Sequence, residues 1–435
     1  MLTGYLLGFA SVIPVTGWAG ERFGAKRVWI GALLIFLAGS VLSAAAWSVP
    51  ALIAFRVLQG VGGGLILPVG QAILATAAGP QRMGRVMGFV GLPMLLGSVA
   101  GPVIGGLIVS TVSWRWIFLI NLPIGAVAVV LAIRLLPQTP PRAGARLDVR
   151  GLALLCGGVA LFVYGMSLAG THGFGAAGTL AFLGVGAALV GGYGVHARTR
   201  GAAALIDLAL FRNRGFAAAA ATNFVVAIAL FGVLVLLPLY WQVVRGHGPL
   251  ATGLLLVPQA LGAAAAMPLA GRVTDRAGAG VVVPVGIVLA LLGTAGYTQV
   301  GADSPYAVLA AALFVIGLGL GATIMPSMAA AYRTLPREAI AKATSALNTV
   351  QRLGASIGTA MLAVVLQHGI TVDVPQLAGA PLGPLPAGAR VQLAPALAHA
   401  FGSSFWLAFV LTALAMVPAV LLPRTSRRDR KTVTG

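Results

Sequence analysis

Charged residues are scarce in this 435-residue chain. Only 8% of its residues are Asp, Glu, Lys or Arg, whereas 59% are hydrophobic. So little polar surface cannot cover a water-soluble globule of this size. The composition therefore predicts an all-α membrane protein whose helices cross the bilayer many times.

Acidic residues are the rarest charged class. All eight lie in predicted loops or at the ends of predicted spans: Glu21, Asp148, Asp207, Asp275, Asp303, Glu338, Asp373 and Asp429. No carboxylate is therefore expected at mid-membrane. The sequence predicts no catalytic site in the bilayer, and hence a protein that is not an enzyme.

Metal-binding residues are also few. Cys156 is the only cysteine and falls within a span, so it is interpreted as a small packing residue. The five histidines lie in loops or at span ends, too scattered for a metal cluster. No metal site is predicted.

Apolar runs, by contrast, recur along the whole chain. Thirteen are long enough to cross about 30 Å of hydrocarbon, which takes roughly 20 residues. They lie near residues 2–19, 28–47, 51–77, 84–111, 115–136, 149–170, 178–197, 214–241, 250–271, 280–300, 305–331, 340–366 and 401–422. Several are longer than the bilayer requires, which predicts tilted helices.

The net charge of +20 arises from 28 basic and 8 acidic residues. If the loop after the first span faces the cytoplasm, 23 of the 28 basic residues fall in cytoplasmic loops. Cytoplasmic loops of membrane proteins carry such an excess of Lys and Arg. The charge therefore predicts a protein of the cytoplasmic membrane with its C-terminus in the cytoplasm, and it argues against nucleic-acid binding.

Two arginines lie inside predicted spans. Arg56 is five residues and Arg352 twelve residues into its span, or about 7 and 18 Å deep at about 1.5 Å per residue. A mid-membrane arginine is costly, so it should face a cavity or a partner. Polar residues share the helix face of Arg352 at spacings of three and four: Ser345, Asn348, Ser356 and Thr359. This stripe predicts a cavity wall, with a polar seam against a neighbouring helix as the alternative.

Glycine is abundant, and its most regular run is GSVAGPVIGG over residues 97–106. The strip consists of Gly97, Gly101, Pro102, Gly105 and Gly106. Small residues at every fourth position let a neighbouring backbone approach closely, so helix packing alone is one interpretation. A second cluster, GVGGG at 60–64, lacks the Lys and Ser/Thr of a phosphate loop and predicts helix packing.

One short loop pattern occurs twice. GWAGERFGAKR at 17–27 and GRVTDRAG at 271–278 both have Gly, an acid four residues later, Arg, and Gly two residues after that. Each copy joins two spans on the same predicted side. The repeat predicts two similar helical halves.

These motifs resemble those of the major facilitator superfamily. The first loop is similar to that family's signature loop through Gly17, Glu21, Arg22, Gly24, Lys26 and Arg27. Arg56, Gln59 and Gly60 match its fourth-helix motif, and the strip at 97–106 resembles its antiporter motif. WRWIFLINLPIG at 114–125 and SALNTVQRLGASIGTA at 345–360 resemble the fourteen-helix drug:proton antiporter branch.

The resemblance implies a fold of two pseudo-symmetric helical bundles with two extra central helices. Residues 1–136 would form the N-terminal bundle, 137–213 a basic linker with the extra helices, and 214–435 a six-helix C-terminal bundle with a cytoplasmic tail. That family begins with an aspartate-bearing helix, and the span opening at Thr3 corresponds to its second helix. The first helix is therefore expected to be missing, through a misplaced start codon or a truncated gene.

The resemblance also implies a gate and an activity. The two repeated loops are expected to act as the gate, through the residues already named in the first loop and through Gly271, Asp275, Arg276 and Gly278 in the second. The polar stripe around Arg352 would line the substrate cavity. The implied activity is export of hydrophobic small molecules or drugs in exchange for protons, with a proton gradient and no cofactor. The partners would be substrate, protons and the bilayer. A uniporter or importer and a non-transporting remnant are the alternatives.

Overall fold

The computed structural model describes residues 2–79, 81–138, 141, 147–377 and 387–424. The described part is helical, with no strand in it. In chain order the helices are α1 (Leu2–Val12), α2 (Thr16–Phe23), α3 (Ala25–Ala44), α4 (Val49–Ala78), α5 (Met83–Thr111), α6 (Trp116–Leu119), α7 (Asn121–Leu135), α8 (Val149–His172), α9 (Ala177–Arg200), α10 (Arg214–Leu239), α11 (Pro249–Leu255), α12 (Val257–Ala277), α13 (Ala279–Thr298), α14 (Tyr306–Gly321), α15 (Ile324–Arg333), α16 (Ile340–Asp373), α17 (Ala387–Leu414) and α18 (Met416–Val420).

Eleven described helical segments are long and apolar enough to cross a membrane. Each coincides with a span predicted from the sequence, so the all-α membrane fold is confirmed. The predicted span at 84–111 coincides with α5, several of whose side chains lie outside the described part of the chain.

The predicted span at 2–19 is helical but interrupted. α1 ends at Val12, a 3₁₀ turn covers Ile13–Val15, and α2 begins at Thr16. Pro14 lies in this turn, where its ring removes a backbone donor and disfavours the α conformation of the residue before it. The interruption leaves backbone carbonyl groups in the middle of an apolar run that need other donors.

The chain divides by contact into two compact units. Unit 1 contains Met1–Ala77, Leu107–Asn213 and Leu335–Leu353, and unit 2 contains Ala78–Gly106, Arg214–Thr334 and Gly354–Gly435. α5 and α16 are each divided between the units. The three segments predicted from the sequence describe the order along the chain, and that division stays a prediction.

In unit 1, α4 packs through a glycine face. A Cβ atom on Gly60 would lie 3.0 Å from the amide nitrogen of Phe9, and one on Gly62 would lie 2.5 Å from that of Phe36. α4 therefore contacts the backbones of α1 and α3 closely because these residues have no side chain. The interpretation of residues 60–64 as a packing cluster is confirmed.

In unit 2, α14 packs between α12 and α13 through pairs of glycines. A Cβ atom on Gly262 of α12 would lie 3.0 Å from the Leu318 nitrogen, and one on Gly317 of α14 would lie 2.9 Å from the Ala263 nitrogen. On the other face of α14, a Cβ atom on Gly319 would lie 2.8 Å from the Ala290 Cα atom. At both of these contacts of α14, backbone therefore packs against backbone.

Gly60→Ala is expected to lower the melting temperature of the detergent-solubilised protein, because the added Cβ atom would push α4 away from α1. Overpacking of this kind costs about 1–3 kcal/mol. Gly31→Ala is the matched control, since a Cβ atom there would meet nothing within 4 Å and alanine favours a helix. Equal melting temperatures for the two variants would contradict the packing role of Gly60.

Candidate functional site

The first repeated loop brings α2 against the first turns of α16, within unit 1. A Cβ atom on Gly17 would lie 3.1 Å from the Cα atom of Lys342. One turn further along α2, the Glu21 Oε2 atom lies 3.8 Å from the Lys342 Nζ atom, and the two side chains are 15% and 18% exposed. The loop therefore forms a close helix crossing with an ion pair beside it, which we call the first crossing.

The second repeated loop forms the equivalent contact with α5, within unit 2. A Cβ atom on Gly271 would lie 3.2 Å from the Cα atom of Arg85. The Asp275 carboxylate accepts hydrogen bonds from the backbone N–H groups of Gly84 (2.7 Å) and Arg85 (3.0 Å). These amides belong to the first turn of α5, where the helix has unpaired donors and a partial positive charge. This second crossing therefore has a carboxylate bonded directly to a helix N-terminus.

The last glycine of each loop makes the turn that follows. Gly24 has φ +85° and Gly278 has φ +87°, a region that favours glycine. Gly24 lies between α2 and α3, and Gly278 between α12 and α13. The repeated pattern thus corresponds to a repeated structure: a glycine at the crossing, an acid one turn further along the same helix, and a glycine at the turn that follows.

Lys26 of the first loop bonds the end of another helix rather than the acid of the loop. The Lys26 Nζ atom donates to the carbonyl oxygens of Ile133 (2.8 Å) and Leu136 (2.7 Å), where α7 ends. A cation at this place stabilises the negative end of the helix. Arg22, Arg27 and Arg276 are exposed, and their assignment to the gate stays a prediction.

The fourth-helix motif is the start of a polar network. The Arg56 Nη1 atom donates to Gln59 Oε1 at 2.6 Å, and Gln59 Nε2 donates to Ser40 Oγ at 2.6 Å. Asn121 Nδ2 also donates to Ser40, at 3.3 Å. Sequence reasoning missed Ser40 and Asn121, although Asn121 is a polar residue within a quoted apolar motif.

Two residues of the polar stripe form a buried seam. The Ser345 hydroxyl lies 3.0 Å from the carbonyl oxygens of both Ile13 and Pro14, in the 3₁₀ turn between α1 and α2. Asn348 Nδ2 donates to Gln71 Oε1 of α4 at 2.9 Å. Both side chains are at most 5% exposed. Ser345 and Asn348 therefore form a polar seam between helices, which was the alternative interpretation of the stripe.

The remaining stripe residues are less buried. Arg352, Ser356 and Thr359 are partly exposed, and the Thr359 hydroxyl donates to the Ala355 carbonyl oxygen of its own helix at 2.9 Å. Arg352 belongs to unit 1, and the other two belong to unit 2. Their place in a substrate cavity stays a prediction.

Both arginines inside the spans lie over aromatic rings of α1. The Arg56 Cζ atom is 4.5 Å from the centre of the Tyr5 ring, and the Arg352 Cζ atom is 4.8 Å from the centre of the Phe9 ring. An arginine over an aromatic face gains an electrostatic attraction. α1 therefore supplies aromatic partners to both arginines, and neither Tyr5 nor Phe9 was singled out from the sequence.

The glycine strip of α5 has open space around its described members. A Cβ atom on Gly97, Gly101 or Gly105 would meet nothing within 4 Å. The surroundings of Pro102 and Gly106 lie outside the described part of the chain. The strip was expected to let a neighbouring backbone approach closely. At these three glycines no such neighbour lies within 4 Å of the Cβ position.

Comparison with known proteins agrees with these features. The sequence matches the Major Facilitator Superfamily over residues 1–359. It is 40% identical to the "Multidrug resistance protein B homolog" of Mycobacterium tuberculosis (strain ATCC 25618 / H37Rv), over 99% of this chain and 84% of that protein. It is 30% identical to a "Putative multidrug resistance protein MdtD" of Serratia proteamaculans (strain 568), over 92% of this chain and 84% of that protein.

A solved structure has the same fold. The proton:xylose symporter XylE superimposes with a TM-score of 0.61 at 16% identity, covering 97% of this chain and 85% of that chain. At this identity the likeness concerns the fold. Together with the family match and the 40% identical relative, it shows that the chain is a multi-pass membrane transporter of the Major Facilitator Superfamily.

Proposed function

We propose that the protein exports hydrophobic small molecules across the cytoplasmic membrane in exchange for protons, by alternating access. The observation that carries this proposal is the pair of equivalent crossings, Gly17–Glu21 against α16 and Gly271–Asp275 against α5. The motifs at 97–106, 114–125 and 345–360 support the fourteen-helix drug:proton antiporter branch. Relatives at 40% and 30% identity, which bear the names of multidrug resistance proteins, support a drug-like substrate.

The two crossings are built so that they can open. A partly exposed ion pair contributes about 1 kcal/mol or less, and a carboxylate at a helix N-terminus about 0.3–1 kcal/mol. Neither contact is needed to keep a helix folded. In the proposed cycle both crossings are closed in the outward-facing state and separate in the inward-facing state.

Asp275 also offers a route for proton coupling. As a carboxylate it accepts two backbone hydrogen bonds from the start of α5. Protonation would remove its charge and one acceptor site, and this would weaken the second crossing. Proton binding would thereby favour the open crossing, which links proton movement to the conformational change.

The proposed antiport activity is tested by measuring the flux of a dye into proteoliposomes. With an acidic interior, proton exit should drive accumulation of an external dye, with fluorescein and rhodamine 123 used as separate probes. Collapse of the gradient with nigericin should abolish the accumulation, and protein-free vesicles give the passive background. If neither dye accumulates above that background, the antiport proposal is wrong.

Asp275→Asn is expected to slow this gradient-driven flux about fivefold, the effect of about 1 kcal/mol lost from the closed crossing. The change mimics a permanently protonated side chain, so dependence on the pH gradient should fall as well. Asp303→Asn is the matched control, because Asp303 is an exposed loop residue before α14. An Asp275→Asn protein that transports at the parental rate would exclude this contact from the cycle.

The topology is tested in a cysteine-free background, which requires only Cys156→Ser. Arg198 lies at the end of α9 and Asp303 before α14, and both are exposed. An impermeant maleimide should label Asp303→Cys in intact cells but should label Arg198→Cys only after permeabilisation, because basic loops face the cytoplasm. The opposite pattern would invert the orientation.

A further inference from the structure

We infer that the molecules this transporter selects are organic anions with a flat aromatic body, and that a row of four side chains in unit 1 binds them. The row consists of Arg56, Tyr5, Phe9 and Arg352. We call it the arginine–aromatic row. This inference rests on the proposed export function and specifies its substrate class.

The four side chains form a continuous series. The Arg56 Cζ atom lies 4.5 Å from the Tyr5 ring centre, the Tyr5 and Phe9 ring centres are 6.0 Å apart, and the Arg352 Cζ atom lies 4.8 Å from the Phe9 ring centre. Tyr5 and Phe9 are one turn apart on α1, and the arginines come from α4 and α16. All four side chains are partly exposed.

α4 leaves room for Tyr5 at Gly63. A Cβ atom on Gly63 would lie 2.7 Å from the Tyr5 hydroxyl oxygen. Any larger residue at position 63 would push this ring away, because that approach is shorter than van der Waals contact. Gly63 therefore leaves the space that the Tyr5 hydroxyl occupies, on the same helix that carries Arg56.

The row has positive charge without a compensating acid. Among the described residues, no carboxylate lies within ion-pair distance of Arg56 or Arg352. One Arg56 N–H group bonds the neutral Gln59 side chain, and within the described chain the Arg352 guanidinium has Phe9 as its partner. Most of the guanidinium donors in the row are therefore available to a ligand.

These donors define the charged part of the ligand. A guanidinium presents a planar fork that matches carboxylate or sulfonate oxygens with two parallel hydrogen bonds. An anion bound there would supply the counter-charge that a cation within the membrane needs. A cationic ligand would meet repulsion from both arginines and would leave their donors unpaired.

The rings define the rest of the ligand. Tyr5 and Phe9 lie between the two charges, and aromatic faces favour stacking with flat apolar groups. A molecule with a flat body and an acidic group at its edge would contact both kinds of side chain together. Aromatic carboxylates and sulfonates have this arrangement.

The charge preference is tested by binding, which does not require transport. Fluorescein and rhodamine 123 share a xanthene ring system and differ in charge. Fluorescence anisotropy with the detergent-solubilised protein is expected to show fluorescein binding at least about tenfold more tightly than rhodamine 123. Equal affinities, a preference for rhodamine 123, or no fluorescein binding up to about 1 mM would overturn the inference.

Substitutions then locate the site. Arg352→Gln should weaken fluorescein binding about tenfold or more, because it removes a charge-assisted donor pair, and Arg352→Lys should restore only part of the affinity. Arg352→Glu should shift the preference towards rhodamine 123. Arg198→Gln removes an exposed arginine at the end of α9 and should leave binding unchanged.

A variant is compared with the parental protein only if the two have equal melting temperatures. The dye preference of the parental protein tests the inference independently of any variant. Unchanged fluorescein affinity in a folded Arg352→Gln protein would overturn the role of the row. Failure of gradient-driven flux for both dyes, with fluorescein binding intact, would instead overturn the antiport proposal and leave the binding site standing.

Discussion

Close approach of helix backbones is the constraint on which both units depend. Lipid tails are as apolar as the helix surfaces, so association within a membrane relies on packing rather than on the hydrophobic effect. Gly60 lets α4 contact α1, and Gly262 and Gly317 let α12 and α14 contact each other. The same device recurs at Gly17 and Gly271, where the residues that approach belong to the proposed gate. The packing of the units and the two contacts of the proposed gate therefore depend on the same close approach of backbones.

Much of the fold follows from patterns in the sequence. Apolar runs of bilayer length predict the spans, and the packing role of the 60–64 cluster follows from the absence of phosphate-loop residues next to it. The repeated loop pattern predicts two similar helical halves, and in the structure each copy of the loop makes a close helix crossing at its first glycine, Gly17 or Gly271. These features depend on residue spacing within one segment, which a sequence displays directly.

The contact partners of these residues could not be predicted, because they lie in distant segments of the chain. No spacing pairs Glu21 with Lys342 or Asp275 with the amides of α5. Ser345 and Asn348 share a helix face with Arg352. In the structure, however, Ser345 bonds the 3₁₀ turn at Ile13–Val15 and Asn348 bonds the Gln71 side chain. The glycine strip at 97–106 has a spacing that predicts close helix packing. A Cβ atom on Gly97, Gly101 or Gly105 would nevertheless meet nothing within 4 Å. Helical periodicity tells which residues share a face and leaves open what that face meets.

The one-residue turns at Gly24 and Gly278 have a mechanical consequence. The Gly278 N–H group bonds the Thr274 carbonyl at the end of α12, while its own carbonyl accepts from Val281 at the start of α13. A single residue therefore separates the end of α12 from the start of α13. Gly24 joins α2 to α3 in the same way, and its carbonyl accepts from Val28. In each hairpin the acid-bearing helix is therefore joined through a single residue to the helix that follows, so a displacement of the acid's helix end is a displacement of the next helix's start.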